Sequence, residues 1–126
     1  MPVLLAIAVG GMLGSLARWA VDEAMPVTGP DQWPWATLTV NLAGAFAIGA
    51  LLSSGRLEGR TPWLRPLVVT GVLGGFTTFS AVALETGVML DAGRPVAAVG
   101  YLGITVTIGL AAVVLGRVLV TRRSRP

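Results

Sequence analysis

The sequence contains no cysteine, no histidine and no lysine, and only 12% of its 126 residues are charged. Without cysteine the chain can form neither a disulfide nor a thiolate metal site, and it has no thiol nucleophile. Without histidine it lacks the side chain that most often acts as a general base. An enzymatic function is therefore disfavoured, and no catalytic residue is predicted.

Apolar residues are abundant instead. They make up 54% of the chain, and the mean hydropathy of +0.79 lies outside the usual range of a soluble domain. A helix that crosses a hydrocarbon core of about 30 Å needs about 20 residues. Four windows are long enough, at residues 3–21, 35–53, 66–90 and 95–118. The sequence therefore predicts an all-α membrane protein in which residues 1–126 form a single domain of four transmembrane helices.

The charged residues indicate how these helices are oriented. All nine basic residues are arginines, and seven of them fall in the second connection or at the C-terminal end: Arg56, Arg60, Arg65, Arg117, Arg122, Arg123 and Arg125. With four spans, these two regions and the N-terminus share one side of the membrane. Because arginine accumulates on the cytoplasmic side, both termini are predicted to be cytoplasmic.

Polar residues inside the apolar windows are the candidates for function. The third window contains Gly74-Gly75-Phe76-Thr77-Thr78-Phe79-Ser80, in which two glycines precede three hydroxyl side chains. Irregular backbone in hydrocarbon survives only where protein, ions or a wet cavity satisfies its polar groups. We therefore predict that the third helix is interrupted near residues 74–79, and that a polar species passes nearby.

The second window contains Thr37 and Asn41, one helical turn apart on the same face. Asn41 has two possible roles: its amide could join helices by hydrogen bonds, or it could donate to an anion. The fourth window offers Tyr101 and Thr105 at the same spacing, a stripe that helix packing alone could explain. Glu85, near the end of the third window, is either a proton-coupling carboxylate or a residue of a solvated vestibule.

The first window contains two pairs of small residues, Gly10 with Gly14 and Gly11 with Ser15, each four residues apart. Small residues at this spacing let two helix backbones approach closely. The pattern predicts a helix-contact face.

Three motifs, in order and spread over nearly the whole chain, resemble the Fluc family of fluoride channels, also called CrcB proteins. Residues 10–18 are similar to the family's Gly-Gly-x-x-Gly-x-x-x-Arg, and residues 37–44 to its Thr-x-x-Val-Asn-x-x-Gly. Residues 74–80 are similar to its Gly-Gly-x-Thr-Thr-Phe-Ser. Each motif alone is modest evidence, but their order and spacing are specific.

The resemblance implies a fluoride channel that exports cytoplasmic fluoride passively. It also implies an antiparallel (inverted) dimer with two fluoride pathways and one central structural Na⁺. By motif position, the backbone carbonyls of Gly74 and Thr77 would bind Na⁺. The fluoride pathway would be lined by Asn41, Phe79, Ser80, Thr37, Tyr101 and Thr105.

The sequence departs from the family where Val82 replaces a second phenylalanine and Gly109 replaces a hydroxyl residue. Together with the uneven arginine distribution, the lost aromatic favours a fixed orientation, and therefore a heterodimer with a paired homologue. An identical chain as the partner stays the other possibility. Two alternatives stay open at this point. One is a proton-coupled dimeric transporter of the small multidrug resistance type, which would need a carboxylate in the first helix, and the other is a channel-assembly subunit.

Overall fold

The computed structural model describes residues 1–29, 31–59 and 61–123, and within them every regular element is helical. The elements are α1 (Val3–Ala24), α2 (Trp35–Ser53), a π-helical segment (Pro66–Leu73), α3 (Gly74–Phe76), α4 (Phe79–Asp91) and α5 (Pro95–Arg123). Four stretches are long and apolar enough to cross a membrane, and the third runs from Pro66 to Asp91. The predicted all-α membrane fold is confirmed. The structure extends the first helix by three residues and the last by five beyond the predicted windows.

The glycines of α1 pack against the first half of the third span, as predicted. A Cβ at Gly10 would lie 2.9 Å from Gly71 Cα, and one at Gly14 would overlap the Val72 carbonyl oxygen. Both glycines are buried. Because no side chain intervenes, backbone contacts backbone, and α1 holds Pro66–Phe76 at close range.

The interruption of the third span lies at Thr77 and Thr78, within the predicted range. Both residues are extended, with φ/ψ of −82°/155° and −148°/123°, between α3 and α4. The glycine pair that precedes them does not unwind, since Gly74 is helical with φ/ψ of −65°/−36°. Gly75 instead serves close approach, because a Cβ there would lie 3.1 Å from Gly11 Cα.

The remaining long contact joins α2 to α5. A Cβ at Gly49 would overlap the carbonyl oxygen of Val113, and one at Gly116 would overlap that of Phe46. Glycines on both helices therefore bring α2 and α5 together. The chain thus forms two closely packed helix pairs, α1 with the first half of the third span and α2 with α5.

Alternation of the four spans places the connection 54–65 and the end of α5 at one end of the molecule. The connections 25–34 and 92–94 lie at the other end, where Arg94 Nε is 3.8 Å from Asp31 Oδ1. Of the seven arginines used to predict orientation, Arg60 and Arg125 lie outside the described residues.

Candidate functional site

The interruption in the third span is held by a single side chain of α2. Asn41 Oδ1 accepts the backbone N–H of Thr78 at 2.8 Å, and Asn41 Nδ2 donates to the Thr78 carbonyl oxygen at 2.9 Å. The carboxamide thus replaces the hydrogen bonds that an unbroken helix would have supplied. An orphaned backbone group in hydrocarbon costs several kcal/mol, so this pairing lets the backbone stay extended inside the membrane.

Two hydrogen bonds, one of them the Thr78 N–H to Asn41 bond, determine which carbonyls the interruption exposes. In a continuous helix the N–H groups of Thr78 and Ala81 would bond to the carbonyls of Gly74 and Thr77. Here the Thr78 N–H bonds to Asn41, and the Ala81 N–H bonds to Thr78 Oγ1 at 3.2 Å, as a helix N-cap. The carbonyls of Gly74 and Thr77 are therefore released from their helical donors.

Close approach of α2 makes this pairing possible. A Cβ at Gly44 would overlap the Thr77 methyl group, so the α2 backbone contacts the interruption directly. Gly44 lies three residues after Asn41, on the same side of α2. The Asn-x-x-Gly spacing in the sequence thus has a steric reason. Asn41 binds Thr78, and the absence of a side chain at Gly44 leaves room for the neighbouring Thr77.

A second polar cluster lies farther along α4, around Glu85. Thr37 Oγ1 donates to Glu85 Oε1 at 2.5 Å, and the Tyr101 hydroxyl donates to Glu85 Oε2 at 2.6 Å. Thr37 and Tyr101 are both buried, whereas Glu85 is half-buried. One carboxylate therefore connects α2, α4 and α5 across the membrane-embedded part of the molecule.

Aromatic packing fixes the tyrosine of this cluster. The ring of Trp33 meets the Tyr101 ring edge-on, with centroids 5.9 Å apart and an interplanar angle of 85°. Tyr101 also packs in a buried cluster with Val82, Met89 and Ala98. Val82 is 1% exposed, so its side chain fills the core of the chain. It lines neither of the two cavities described in the next paragraph.

Two cavities lie on either side of the Thr37–Glu85 hydrogen bond. The first, of about 470 Å³, lies between α1 and α4, and Trp19, Ala81 and Leu84 give its lining a large apolar part. Its polar and charged lining residues are Ser15, Arg18, Asp22, Thr37, Thr78 and Ser80. The second, of about 370 Å³, lies beneath the connection 25–34 and is lined by Thr28, Gln32 and Glu85 among others. Thr37 lines the first cavity, Glu85 lines the second, and Leu84 lines both.

The structure brings some of the predicted pathway residues together and separates others. Thr37 and Ser80 share the first cavity, and Thr78 Oγ1 lies 3.1 Å from Ser80 Oγ. Asn41 contacts the interruption, and Phe79 is 73% exposed at the start of α4. Tyr101 is bonded to Glu85, one turn from Thr105 on α5.

Thr105 differs from the other predicted pathway residues in the hydrogen bonding of its hydroxyl. Its Oγ1 atom is buried, and no hydrogen-bond partner is found for it among the described residues. Native proteins almost always pair a buried hydroxyl. The side chain of Tyr101, one turn earlier on α5, is a neighbour with which this hydroxyl interacts, so Thr105 Oγ1 can donate either to Tyr101 or to a bound species.

Sequence reasoning missed the contact that Glu85 makes. It treated the residue as either proton-coupling or solvated, whereas both carboxylate oxygens accept hydrogen bonds from buried hydroxyls. Thr37 lies 48 residues before Glu85, and no periodicity links residues that far apart. The only available signal was that Thr37, Glu85 and Tyr101 all lie about one or two turns from the same end of their predicted helices.

The described residues contain no group of three or more His, Cys, Asp or Glu side chains that could bind a metal. A hard cation prefers oxygen ligands, and the released carbonyls of Gly74 and Thr77 could bind one at the interruption.

Comparison with known proteins adds an independent finding. Residues 5–117 match the family model described as CrcB-like protein, Camphor Resistance (CrcB). The chain is 44% identical to fluoride-specific ion channel FluC 1 of Mycobacterium bovis, over 94% of this chain and 90% of that protein. It is 46% identical to FluC 2 of Nocardia farcinica over 90% and 81% of the two chains, and 42% identical to FluC of Bordetella petrii over 89% and 86%.

Proposed function

The chain belongs to the CrcB family, and we propose that it is a fluoride-selective channel that lets fluoride leave the cell passively. The observation that carries the proposal is the interruption at Thr77 and Thr78, which Asn41 holds open inside a membrane-crossing helix. Extended backbone at this depth costs free energy unless its polar groups are satisfied, and a transport pathway explains why this chain keeps it. The protein is a multi-pass membrane protein rather than an enzyme.

Such a channel would protect the cell from fluoride. At low external pH fluoride enters as neutral HF, ionises in the cytoplasm and is trapped there as the anion. A selective pore drains it down its electrochemical gradient and needs no energy source. Passive export also requires no titrating residue in the pathway, which agrees with a chain that has no histidine.

The anion pathway in this proposal relies on hydrogen-bond donors, in a cavity whose lining also includes the charged residues Arg18 and Asp22. Ser80 and Thr37 line the cavity between α1 and α4, and the buried hydroxyl of Thr105 is a further donor. Asn41 Nδ2 has two hydrogens, of which the Thr78 carbonyl needs one, so the second is available to an anion. The ring edge of Phe79 is electropositive and can contact a dehydrated anion.

Tyr101 contributes to the proposed pathway indirectly, because its hydroxyl is engaged by Glu85. Its hydroxyl already donates to Glu85, so it could donate to fluoride only after that hydrogen bond breaks. The same holds for Thr37, whose hydroxyl also donates to Glu85. We therefore propose Ser80, Asn41 and Thr105 as the principal donors, with Thr37 and Tyr101 placed by the carboxylate.

A structural Na⁺ fits the residues at the interruption. The carbonyls of Gly74 and Thr77 would bind it, because the N–H groups that would otherwise pair with them bond elsewhere. A bound cation would supply fixed positive charge beside an anion pathway. The contribution of the chain itself is to hold both carbonyls free, through Asn41 and the N-cap hydroxyl of Thr78.

The surface of one chain supports the proposal of a second subunit. Ser15, Ser80 and Arg18 line a cavity that is open on the side of the molecule, at a depth where lipid offers no hydrogen bonds. The exposed ring of Phe79 lies beside it. A partner in the inverted orientation, identical or homologous, would cover these groups and complete the pathway.

The arginine distribution supports one orientation for this chain, with both termini in the cytoplasm of the cell. Arg56 and Arg65 in the second connection and Arg117 and Arg122 near the end of α5 lie at the same end of the molecule. An uneven distribution favours insertion in one direction. A paired homologue that inserts in the opposite direction is then the natural partner for an inverted dimer.

The test is ion efflux from liposomes that contain the purified chain, with fluoride compared with chloride in the absence of a proton gradient. We expect fluoride-selective flux that a proton gradient does not change. Flux that requires the gradient and vanishes in Glu85→Gln would support the coupled-transporter alternative instead. If the chain alone gives no fluoride flux, the assay is repeated after co-reconstitution with a homologous chain from the same organism. Absence of fluoride flux from the pair would contradict the proposal.

A further inference from the structure

An apolar groove runs along the outer surface between α2 and α5. It has a volume of about 690 Å³ and is lined mainly by Leu42, Ile108, Ala111, Ala112, Leu115 and Val118. The two alanines leave a depression between larger aliphatic side chains. All of the side chains that line the groove are apolar.

The length of α5 sets the depth at which this groove ends. The helix has 29 residues and is therefore about 43 Å long, whereas the hydrocarbon core is about 30 Å thick. If α5 enters the hydrocarbon near Pro95, it leaves it about 20 residues later. The last two turns, which carry Arg117 and Arg122, then lie at the level of the lipid headgroups.

Helix geometry places the cationic groups at the end of the groove. Arg122 follows Val118 by four residues and Leu115 by seven, so it lies on the same face of α5. Arg117 precedes Arg122 by five residues, about 140° around the helix, so it lies beside the end of the groove rather than in line with it, and both side chains are exposed. In the part of the chain that the structure describes, neither guanidinium forms an ion pair.

We propose that this groove binds an anionic phospholipid, with an acyl chain along α5 and the phosphate at Arg117 and Arg122. An apolar groove that continues into uncompensated positive charge matches the two parts of such a molecule. Arginine also binds phosphate in a bidentate manner. A second copy of the chain would cover the apolar part but would bring no phosphate to the two arginines.

Lipid retention by the full-length protein in detergent, measured by native mass spectrometry, tests the proposal. The probes are phosphatidylglycerol and phosphatidylcholine with identical acyl chains. A juxtamembrane arginine contributes about fivefold to affinity for an anionic lipid. We therefore expect the combined Arg117→Gln and Arg122→Gln variant to lose about 25-fold in phosphatidylglycerol binding, with little change for phosphatidylcholine.

The matched control is the combined Arg56→Gln and Arg65→Gln variant, which removes the same charge from exposed positions in the second connection. It should retain wild-type binding, and an equal loss in both double variants would overturn the proposal. The apolar part is tested by Ala111→Phe, which should lower retention of both lipids. If Ala111→Phe leaves lipid binding unchanged and separates paired chains, the groove is a contact between copies and the proposal is wrong.

Discussion

The side chain of Asn41 pairs with both backbone polar groups of Thr78, accepting its N–H at 2.8 Å and donating to its carbonyl at 2.9 Å. An intramembrane asparagine can join two helices or donate to an anion, and this arrangement allows one side chain to do both. The amide joins two helices, and because it satisfies an interruption it also leaves neighbouring carbonyls and one of its own hydrogens for ions. Structural and transport roles therefore depend on the same side chain.

The first prediction concerns Asn41→Asp. The carboxylate can still accept the Thr78 N–H, but its second oxygen faces the Thr78 carbonyl, and it repels an approaching anion. We expect a loss of about 1–3 kcal/mol in stability, the cost of an unsatisfied buried group. Fluoride flux should fall about tenfold or more, which corresponds to about 1.4 kcal/mol of barrier. Liposome efflux and thermal unfolding in detergent measure the two effects.

Thr39→Val is the control for this substitution, because Thr39 lies on the same helix but is exposed. It should leave both stability and flux unchanged. Wild-type fluoride flux in Asn41→Asp would remove Asn41 from the pathway.

The sequence predicted the four spans because their apolar windows are long, and the interruption because glycine and hydroxyl residues cluster in the third. It did not predict that Gly74 stays helical or that Thr77 and Thr78 are the extended pair. Glycine permits both an irregular backbone and a close helix contact, and composition cannot distinguish the two. At Gly75 the contact with Gly11 of α1, which follows from tertiary packing, decides in favour of the second.

The candidate site was predictable only in part for a similar reason. The motif that contains Asn41 indicated a polar residue in the membrane, and its spacing to Gly44 placed both on one face. Its partner Thr78 lies 37 residues away, and the Thr37–Glu85 pair is separated by 48. Such pairs depend on how two helices are aligned against each other, which no local pattern determines.

A second prediction tests close packing of α1 with the third span. Gly14→Ala would place a Cβ against the Val72 carbonyl and 2.8 Å from the Phe76 nitrogen, so the helices must separate. We expect a loss of about 1–3 kcal/mol in stability. Gly11→Ala is the matched control, because a Cβ there meets nothing within 4 Å. Its stability should be unchanged or slightly higher, since alanine has the higher helix propensity.

Thermal unfolding of both variants in the same detergent provides the comparison. Equal stability of Gly14→Ala and wild type would show that α1 and the third span do not pack as described. Fluoride flux should decrease in Gly14→Ala as well, because α1 supports the segment that ends at the released Gly74 carbonyl.

A third prediction concerns the hydrogen bond between Tyr101 and Glu85. In a double-mutant cycle, Tyr101→Phe and Glu85→Gln should couple by about 1.5–3 kcal/mol, the range for a hydrogen bond to a charged group. The phenyl ring retains the edge contact with Trp33, so the cycle reports on the hydroxyl. Glu85→Gln combined with Thr107→Val, an exposed position on α5, should be additive within about 0.5 kcal/mol.

Chemical denaturation of the four proteins of each cycle measures the coupling. Additivity of Tyr101→Phe with Glu85→Gln would contradict the 2.6 Å contact. In the transport assay, Glu85→Gln should still conduct fluoride without a proton gradient, although more slowly, because loss of the carboxylate frees Thr37 to reorient.

The fourth prediction separates a transport role from a structural one at Thr105. Its buried hydroxyl has no hydrogen-bond partner among the described residues, so the protein alone gains no stability from it. Thr105→Val keeps the shape and removes the donor, and stability should stay within about 0.5 kcal/mol of wild type or increase, because an unsatisfied polar group is lost. If the hydroxyl donates to fluoride, flux should nevertheless fall several-fold, whereas Thr105→Ser should retain it. Thr107→Val, an exposed neighbour on the same helix, should change neither quantity. Destabilisation by Thr105→Val would reveal a protein partner for the hydroxyl, and unchanged fluoride flux would exclude Thr105 from the pathway.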